Sequence, residues 1–257
     1  MMDYPPLRLD HILVHNALCS PRSARTLLRN HDVRVNGVRC TDGSVLVSCT
    51  KDAVCIDSAP VLLKNDVYLM LNKPAGTVCT NVSDRHKTVF DFIRDEYKNQ
   101  QGLGTLHSIG RLDADTEGLV LLTTNGNLSH RLTSPETHVA KTYLVHLRDA
   151  VDGEKRLSYA QKLAEGISIP AEKKAKSFFS APARLEWLDG ENGTACRLTI
   201  TEGKFHQVKR MFRALENEVV YLKRIAIGAL SLDSALRLGE YRELTAAELC
   251  MLSMTDL

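Results

Sequence analysis

The richest stretch of potential chemistry lies between two glycines, in SIGRLDADTEGLVLL at 108–122. Arg111, Asp113, Asp115, Thr116 and Glu117 stand between Gly110 and Gly118, and an apolar run follows. Three acids ahead of a glycine first suggest a calcium loop of the form D-x-D-x-E-G. An EF-hand loop closes with a bidentate glutamate at its twelfth position. Counting from Asp113, that position holds Thr124, and the flanks read as strand rather than paired helices, so the calcium reading fails. Two working arrangements remain. Asp113 and Asp115 could act as an acid–base pair, as glycosidase carboxylates do, although loop residues two apart usually point in different directions. Alternatively, one carboxylate works beside a cation, Arg111 two residues upstream or Lys209 from elsewhere in the chain. A neighbouring cation lowers a carboxylate pKa and keeps the group ionised, and an ionised aspartate serves as nucleophile or base. A plain turn with capping acids is the bland account, and the motif alone does not separate it from the others.

The bulk of the chain sets the frame for that loop. Its 257 residues carry 33 basic and 31 acidic side chains, a formal net charge of +2. That balance does not by itself diagnose nucleic-acid binding, so an RNA surface must come from how the charges are placed. Hydrophobic residues at 44% and charged residues at 25% are ordinary for a globular protein. Seven cysteines, at 19, 40, 49, 55, 79, 196 and 250, form no C-x-x-C. Neither a disulfide framework nor a four-ligand zinc site is favoured, and reduced thiols in a cytoplasmic protein are the expectation. The stretch MMDYPPLRLD lacks a signal-type apolar core, and no run is long enough to span a bilayer. No membrane partner is expected.

Two regions must position the loop. In the first, Ser20-Pro21 predicts a helix start, with serine as the N-cap and proline at the first helical position. The helix should run to about His31 with Arg22, Arg25 and Arg29 on one face. Asn36-Gly37 inside DVRVNGVRC predicts a two-residue hairpin, with Val33, Val35 and Val38 apolar and Arg34 and Arg39 facing solvent. The five arginines form either a surface for a phosphate backbone or an ordinary solvated face. Residues 58–65 read as a linker broken at Ala59-Pro60.

From Val67 onward, strands are expected at 67–72, 118–124, 141–147, 183–188, 196–201 and 219–232. Helices are expected at 86–98, 125–133, 153–164 and 205–216. The last is the cleanest, because Val208, Met211, Phe212 and Leu215 follow helical spacing. His206, Lys209, Arg210 and Arg213 are assigned to its other faces. Together with Lys204, Lys223 and Arg224 they make 204–224 the most one-sided basic region, suited to a second RNA contact or an active-site wall. Strict alternation in KTYLVHL sets Tyr143 on the face opposite Leu144, which is read as a face outside the core.

Six ordered motifs then resemble the RsuA family of bacterial ribosomal RNA pseudouridine synthases. They are LNKPAG (71–76), GRLDADTEGL (110–119), KTYLV (141–145), EGKFHQVKRMF (202–212), LKRIAIG (222–228) and LGEYRELT (238–245). The front stretch from Arg8 to Cys40, with the KDAVCID strand after it, resembles the S4 RNA-binding domain. The resemblance implies an α+β fold: a mostly antiparallel mixed-sheet pseudouridine synthase catalytic domain over 61–257, preceded by a small α/β S4 domain over 1–60. It implies that Asp113 is the catalytic residue, Tyr143 the active-site aromatic and Lys209 the partner of the aspartate. Arg111 and Lys73 belong to motifs that line the site, and Arg210 is assigned to RNA contact with the front arginines. The sequence departs from the family at Ala226, where a charged residue is common.

The implied activity is isomerisation of a uridine in ribosomal RNA, with no cofactor and no metal. Similarity in SPETHVAKTYLV and LGEYRELT favours 16S over 23S rRNA, as free RNA or within a pre-ribosomal small-subunit particle, and the family generally works as a monomer. The rivals are a 23S enzyme of the same family, a non-catalytic S4-domain ribosome-assembly factor, and an S4-bearing tRNA synthetase. The synthetase lacks support because the chain has no P-loop or other ATP motif.

Overall fold

The computed structural model describes residues 6–16, 18–49, 51–61, 63, 66–98, 105–172, 175–188 and 192–253. In the front module, helices Leu9–His15 and Ala24–Asn30 accompany a four-stranded sheet ordered Val38–Arg39, Val33–Val35, Val54–Ile56, Ala59–Val61. Leu9, Ile12, Leu13, Leu28, Val33, Val54 and Leu63 form its own buried cluster. Asn36 at φ 50° and Gly37 at φ 81° make the expected turn, since a type I′ hairpin needs positive φ at both central residues. Val38 is 67% exposed and is not a core member.

Two other expectations change here. The helix starts at Ala24, not at Ser20. Ser20 instead closes a turn on Ser23, whose N–H donates to the Ser20 carbonyl at 3.0 Å while the two hydroxyls lie 2.8 Å apart. The segment read as a linker contains the strand Ala59–Val61, paired with Val54–Ile56. Pro60 is tolerated there because the strand is an edge. Residues 62, 64 and 65 of that segment lie outside the described residues.

The remainder is built on a sheet of nine strands among the described residues. Its main path runs Arg184–Trp187, Ala195–Ile200, Lys141–Leu147, Val219–Ile227, Glu117–Thr123, Tyr68–Lys73, Tyr241–Glu243. Every pairing on this path is antiparallel except one: Lys223 and Arg224 pair parallel with Glu117 and Gly118. Strands Tyr68–Lys73 and Glu117–Thr123 are buried almost throughout because helices cover both faces. Leu69, Leu71, Val120 and Leu122 face a cluster shared with helices Gly153–Glu165 and Gln207–Ala214. Met70, Leu119 and Leu121 face a second cluster with helices Gly126–Thr133 and Ala246–Ser253.

The strand expected over 219–232 is broken at Gly228 (φ 56°), where it turns back as Leu230–Ser231. The helix expected over 86–98 is a single 3-10 turn, Val89–Phe92, and a short helix, Asp95–Lys98. A Thr88–Asp91 capping box starts the turn, but Ile93 is extended (φ −94°, ψ 133°) and ends it. Among the described residues, no helix is long and apolar enough to cross a membrane.

The parallel pairing needs a glycine. Gly118 sits at φ 101°, and a Cβ there would lie 2.2 Å from the Arg224 carbonyl oxygen. Gly118→Ala is therefore expected to cost at least about 1–3 kcal/mol, the scale of one strained backbone position. Urea unfolding reads this as a lower midpoint, and an unchanged midpoint would mean that the strand pair shifts freely to accept the methyl group.

Candidate active site

The acidic loop is fixed from beneath. Strand Tyr68–Lys73 ends on a fully buried Lys73. Its ammonium donates to the carbonyls of Pro74 (3.1 Å), Ala114 (3.2 Å) and Thr116 (2.7 Å). An ammonium has three N–H donors, and this one uses all of them. Burial pushes its pKa below the ordinary lysine value, against the raising pull of Cys79, Asp115, Asp113 and Glu117. The Gly76 N–H adds a further bond to Ala114 O at 2.7 Å. Lys73 thus shapes the loop and has no surface with which to meet a substrate, a correction to its expected place in the lining.

The three acids divide between Tyr221 and Lys209. Glu117 accepts from the Tyr221 hydroxyl at 2.8 Å, and burial, together with Glu117, pushes that phenol up to about 12. Asp113 and Asp115 converge on Lys209, at 3.3 and 2.5 Å. The expectation that residues two apart would diverge therefore fails, because helix Gln207–Ala214 presents an ammonium between them. Burial alone would raise the Asp115 pKa, but the Lys209 hydrogen bond and charge outweigh it and the net shift is downward. The Asp115 side chain is 74% exposed and Asp113 only 28%, so Asp113 is the more enclosed of the two.

The turn before this helix is equally fixed. Glu202 accepts from Ala181 N, Gln207 Nε2 and the Lys204 ammonium at 3.0, 2.7 and 2.6 Å. Burial would raise its pKa, and those donors bring it below the usual glutamate value. His206 occupies the N-cap with φ 49° and places Nε2 3.7 Å from Asp113 Oδ1. It was expected only on a helix face. Arg210, expected to touch RNA, is 3% exposed. Its guanidinium donates to Phe205, Pro170 and Lys176 carbonyls and lies 4.9 Å from the Phe178 ring centre. It holds neighbouring segments together and offers nothing to RNA.

A cleft of about 700 Å³ opens over Asp113, within the usual size range for ligand pockets. Arg111, Asp113, Tyr143, Lys141, His206 and Arg224 line it. A smaller recess of about 60 Å³ is lined by Arg111, Asp113 and Tyr143 together with Ile200 and Leu222. Tyr143 is 8% exposed and lies on the same face as Val145 and Leu147. The alternation was correctly read but assigned to the wrong side: this is the core face, and Tyr143 stands where the core opens into the cleft. Arg111 is exposed on the rim. Lys141 was missed, although it precedes Tyr143 by two on the same strand, and that spacing alone puts it on the Tyr143 face. Among the described residues, no cluster of three or more His, Cys, Asp or Glu is placed to hold a metal.

The arrangement provides an enclosed carboxylate with a lysine counter-charge, an aromatic edge and a cationic rim, without a second carboxylate free for acid–base pairing. Two substitutions test it. Lys73→Met leaves the Thr116 carbonyl without its donor, while Ala114 O keeps Gly76 N–H and Pro74 O keeps the Thr77 hydroxyl, so a loss of about 1–3 kcal/mol in urea unfolding is expected. Wild-type stability would show that the loop does not depend on this ammonium. Because the Asp115 pKa is depressed, its contribution to stability is present above the unfolded value of about 3.9 and is lost as pH falls through the folded value. In Lys209→Met, NMR titration should show the Asp115 pKa moving up, and an unmoved value would mean that Lys209 is not its cause.

The family model for RNA pseudouridylate synthase matches residues 67–214. The chain is 42% identical over 243 residues to the ribosomal small subunit pseudouridine synthase A of Haemophilus influenzae, covering 95% of this chain and 98% of that protein. It is 40% identical over 248 residues to an uncharacterized RNA pseudouridine synthase of Bacillus subtilis, covering 96% and 98%. A crystal structure of a pseudouridylate synthase aligns at 42% identity and a TM-score of 0.64, covering 96% of this chain and 99% of the other.

Proposed function

We propose a function that proceeds from one fact: this chain belongs to the RNA pseudouridylate synthase family. We read it as an enzyme that converts a uridine of small-subunit, 16S ribosomal RNA to pseudouridine, on free RNA or within a pre-ribosomal particle. The reaction breaks the bond from uracil N1 to ribose C1′, turns the base and joins C5 to C1′. Atoms balance without oxidation or reduction, because the hydrogen lost from C5 is replaced by one gained at N1. The target base must leave its stack to be reached.

The observation that carries this reading is the Asp113–Lys209 ion pair at the floor of a cleft edged by Tyr143. Asp113 is the carboxylate that acts on the flipped nucleoside. Lys209 holds it in place, and Tyr143 contacts the base, with stacking worth about 1–3 kcal/mol. Arg111, on the rim, takes RNA backbone. The small-subunit assignment rests on the relatives that carry that designation and on the SPETHVAKTYLV and LGEYRELT segments.

The front module, residues 1–60 with buried Leu63 added, fits an S4-like domain that docks a helix and a hairpin on structured RNA by shape. Arg22, Arg25 and Arg29 are exposed with no ion pair among the described residues. Arg34 and Arg39 are exposed but share Asp32 at 2.8 and 3.7 Å, so their charge is partly neutralised.

Two measurements test the reading. With rRNA tritiated at uridine C5, the wild type should release label from 16S and not from 23S transcripts, and Asp113→Asn should release none. Release from 23S alone would reassign the substrate, silence on both would remove the activity, and full release by Asp113→Asn would remove the role of Asp113. Replacing Arg22, Arg25 and Arg29 together by Gln should weaken rRNA binding and flatten its salt dependence, because each lost phosphate contact reduces the slope by about one. An unchanged slope would make the patch mere surface.

A further inference from the structure

Three further groups line the cleft: the exposed Phe205, the buried Cys79, and a pair of cations, Lys141 and Arg224. Phe205 stacks on its own neighbour His206 at 3.7 Å, and Cys79 accepts from the Leu112 N–H, so each already has a local structural role. The cation pair is only partly engaged, through Arg224 Nε.

Arg224 is 4% exposed, yet its one side-chain hydrogen bond among the described residues runs from Nε to Leu119 O at 2.8 Å, and its Nη2 is buried with no partner. Lys141 is half-buried beside it, and burial and then the Arg224 charge lower its pKa. Neither has an ion pair among the described residues. Both line the large cleft, and the two acids that also line it are already engaged: Asp113 with Lys209, Glu202 with Lys204. Burying a cation without a partner is unfavourable, and placing two together adds repulsion. Lys73 and Arg210 each offset that cost with three carbonyls, whereas Arg224 meets one, through Nε alone.

We propose that Lys141 and Arg224 form a phosphodiester subsite that grips the RNA backbone at the target nucleotide inside the cleft. The inference rests on the synthase reading for the identity of the ligand and on the geometry for the site. Strand Val219–Ile227 lies between the strand of Tyr143 and the strand that leaves the Asp113 loop, and Arg224 pairs with Tyr143 on one side and Gly118 on the other. A phosphate held at Arg224 is therefore centred between the aromatic edge and the acidic loop, as a nucleotide flipped into the cleft requires. Arginine binds phosphate through a fork of parallel N–H donors and lysine as a point charge, so the pair supplies both kinds of contact.

The test uses the full-length protein, oligouridylate, and a methylphosphonate oligouridine of equal length that carries no backbone charge. Lys141→Gln should weaken oligouridylate binding about tenfold, the equivalent of about 1.4 kcal/mol, and lower the slope of log K against log salt by about 0.7. The same variant should bind the methylphosphonate chain as the wild type does. Lys141→Arg, which keeps the charge, should restore affinity and slope. Arg224→Lys, which keeps the charge but loses the fork, should weaken oligouridylate binding while remaining folded by circular dichroism. Unchanged affinity and slope in Lys141→Gln would overturn the proposal, as would equal losses in Lys141→Gln and Lys141→Arg. Binding and turnover separate the two readings. If the wild type releases no tritium but oligouridylate binding depends on Lys141, the synthase reading falls and the subsite stands. If it releases tritium and binding ignores Lys141, the subsite falls alone.

Discussion

Beneath the acidic loop lies a lysine with no access to water, and much of the site follows from how that charge is accommodated. An isolated buried ammonium is costly, and Lys73 offsets this with three backbone carbonyls, two of them from the loop itself. The bonds act in both directions. They make the lysine tolerable, and they hold the Ala114 and Thr116 carbonyls pointing inward, which leaves the Asp113 and Asp115 side chains to project the other way, toward Lys209. The LNKPAG and GRLDADTEGL segments are separated in sequence, with Lys73 bonding residues 41 and 43 positions on, but form one object: the first supplies the peg and the second is wrapped on it. A loop held this way keeps a carboxylate in place before substrate arrives, and such preorganisation is where much of the catalytic advantage of enzymes lies.

The cations around the cleft fall into three groups by how their charge is met. Lys73 and Arg210 are buried and met by carbonyl dipoles. Lys209 and Lys204 are met by carboxylates. Arg111, Lys141 and Arg224 have no acidic partner among the described residues. The first group builds the fold, the second orients the acids, and the third leaves the cleft electropositive. A nearly neutral chain can therefore present a cationic site, because the compensating acids are used elsewhere on the surface, as with Asp32 beside Arg34 and Arg39 or Glu248 beside Arg242. Local placement, not net charge, sets the field an RNA would meet.

What the sequence made legible was mostly local. Asn36-Gly37 carries its turn in its own φ preferences, and helix Gln207–Ala214 carries its buried stripe in its spacing. Lys141–Leu147 emerged with its predicted bounds because it alternates cleanly. The misses arise where a tertiary partner decides. Arg210 resembles its basic neighbours in sequence, and only the Pro170 and Lys176 carbonyls turn it inward. Asp113 and Asp115 were expected to diverge because a loop considered alone says nothing of a lysine arriving from ninety-odd residues away. The face of Tyr143 was ambiguous because period-two spacing separates the sides of a strand but does not say which is buried. The strand expected across 219–232 hid a hairpin, since Gly228 is one glycine in a run that otherwise favours extension.

The least legible feature is also the one that joins the parts. A parallel contact between Val219–Ile227 and Glu117–Thr123 lies inside a sheet whose path is otherwise antiparallel, and no sequence signal announces it. It places Gly118 and Tyr143 two strand spacings apart, roughly 10 Å, with Arg224 between them. That separation leaves room for a nucleoside between the loop and the aromatic edge. It also explains why Gly118 must lack a side chain: the Arg224 carbonyl approaches where a Cβ would stand. The glycine that ends the acidic motif is thus set by a strand more than a hundred residues away, and the motif reads as one continuous string only because its two ends answer to different partners, Lys73 below and Arg224 beside.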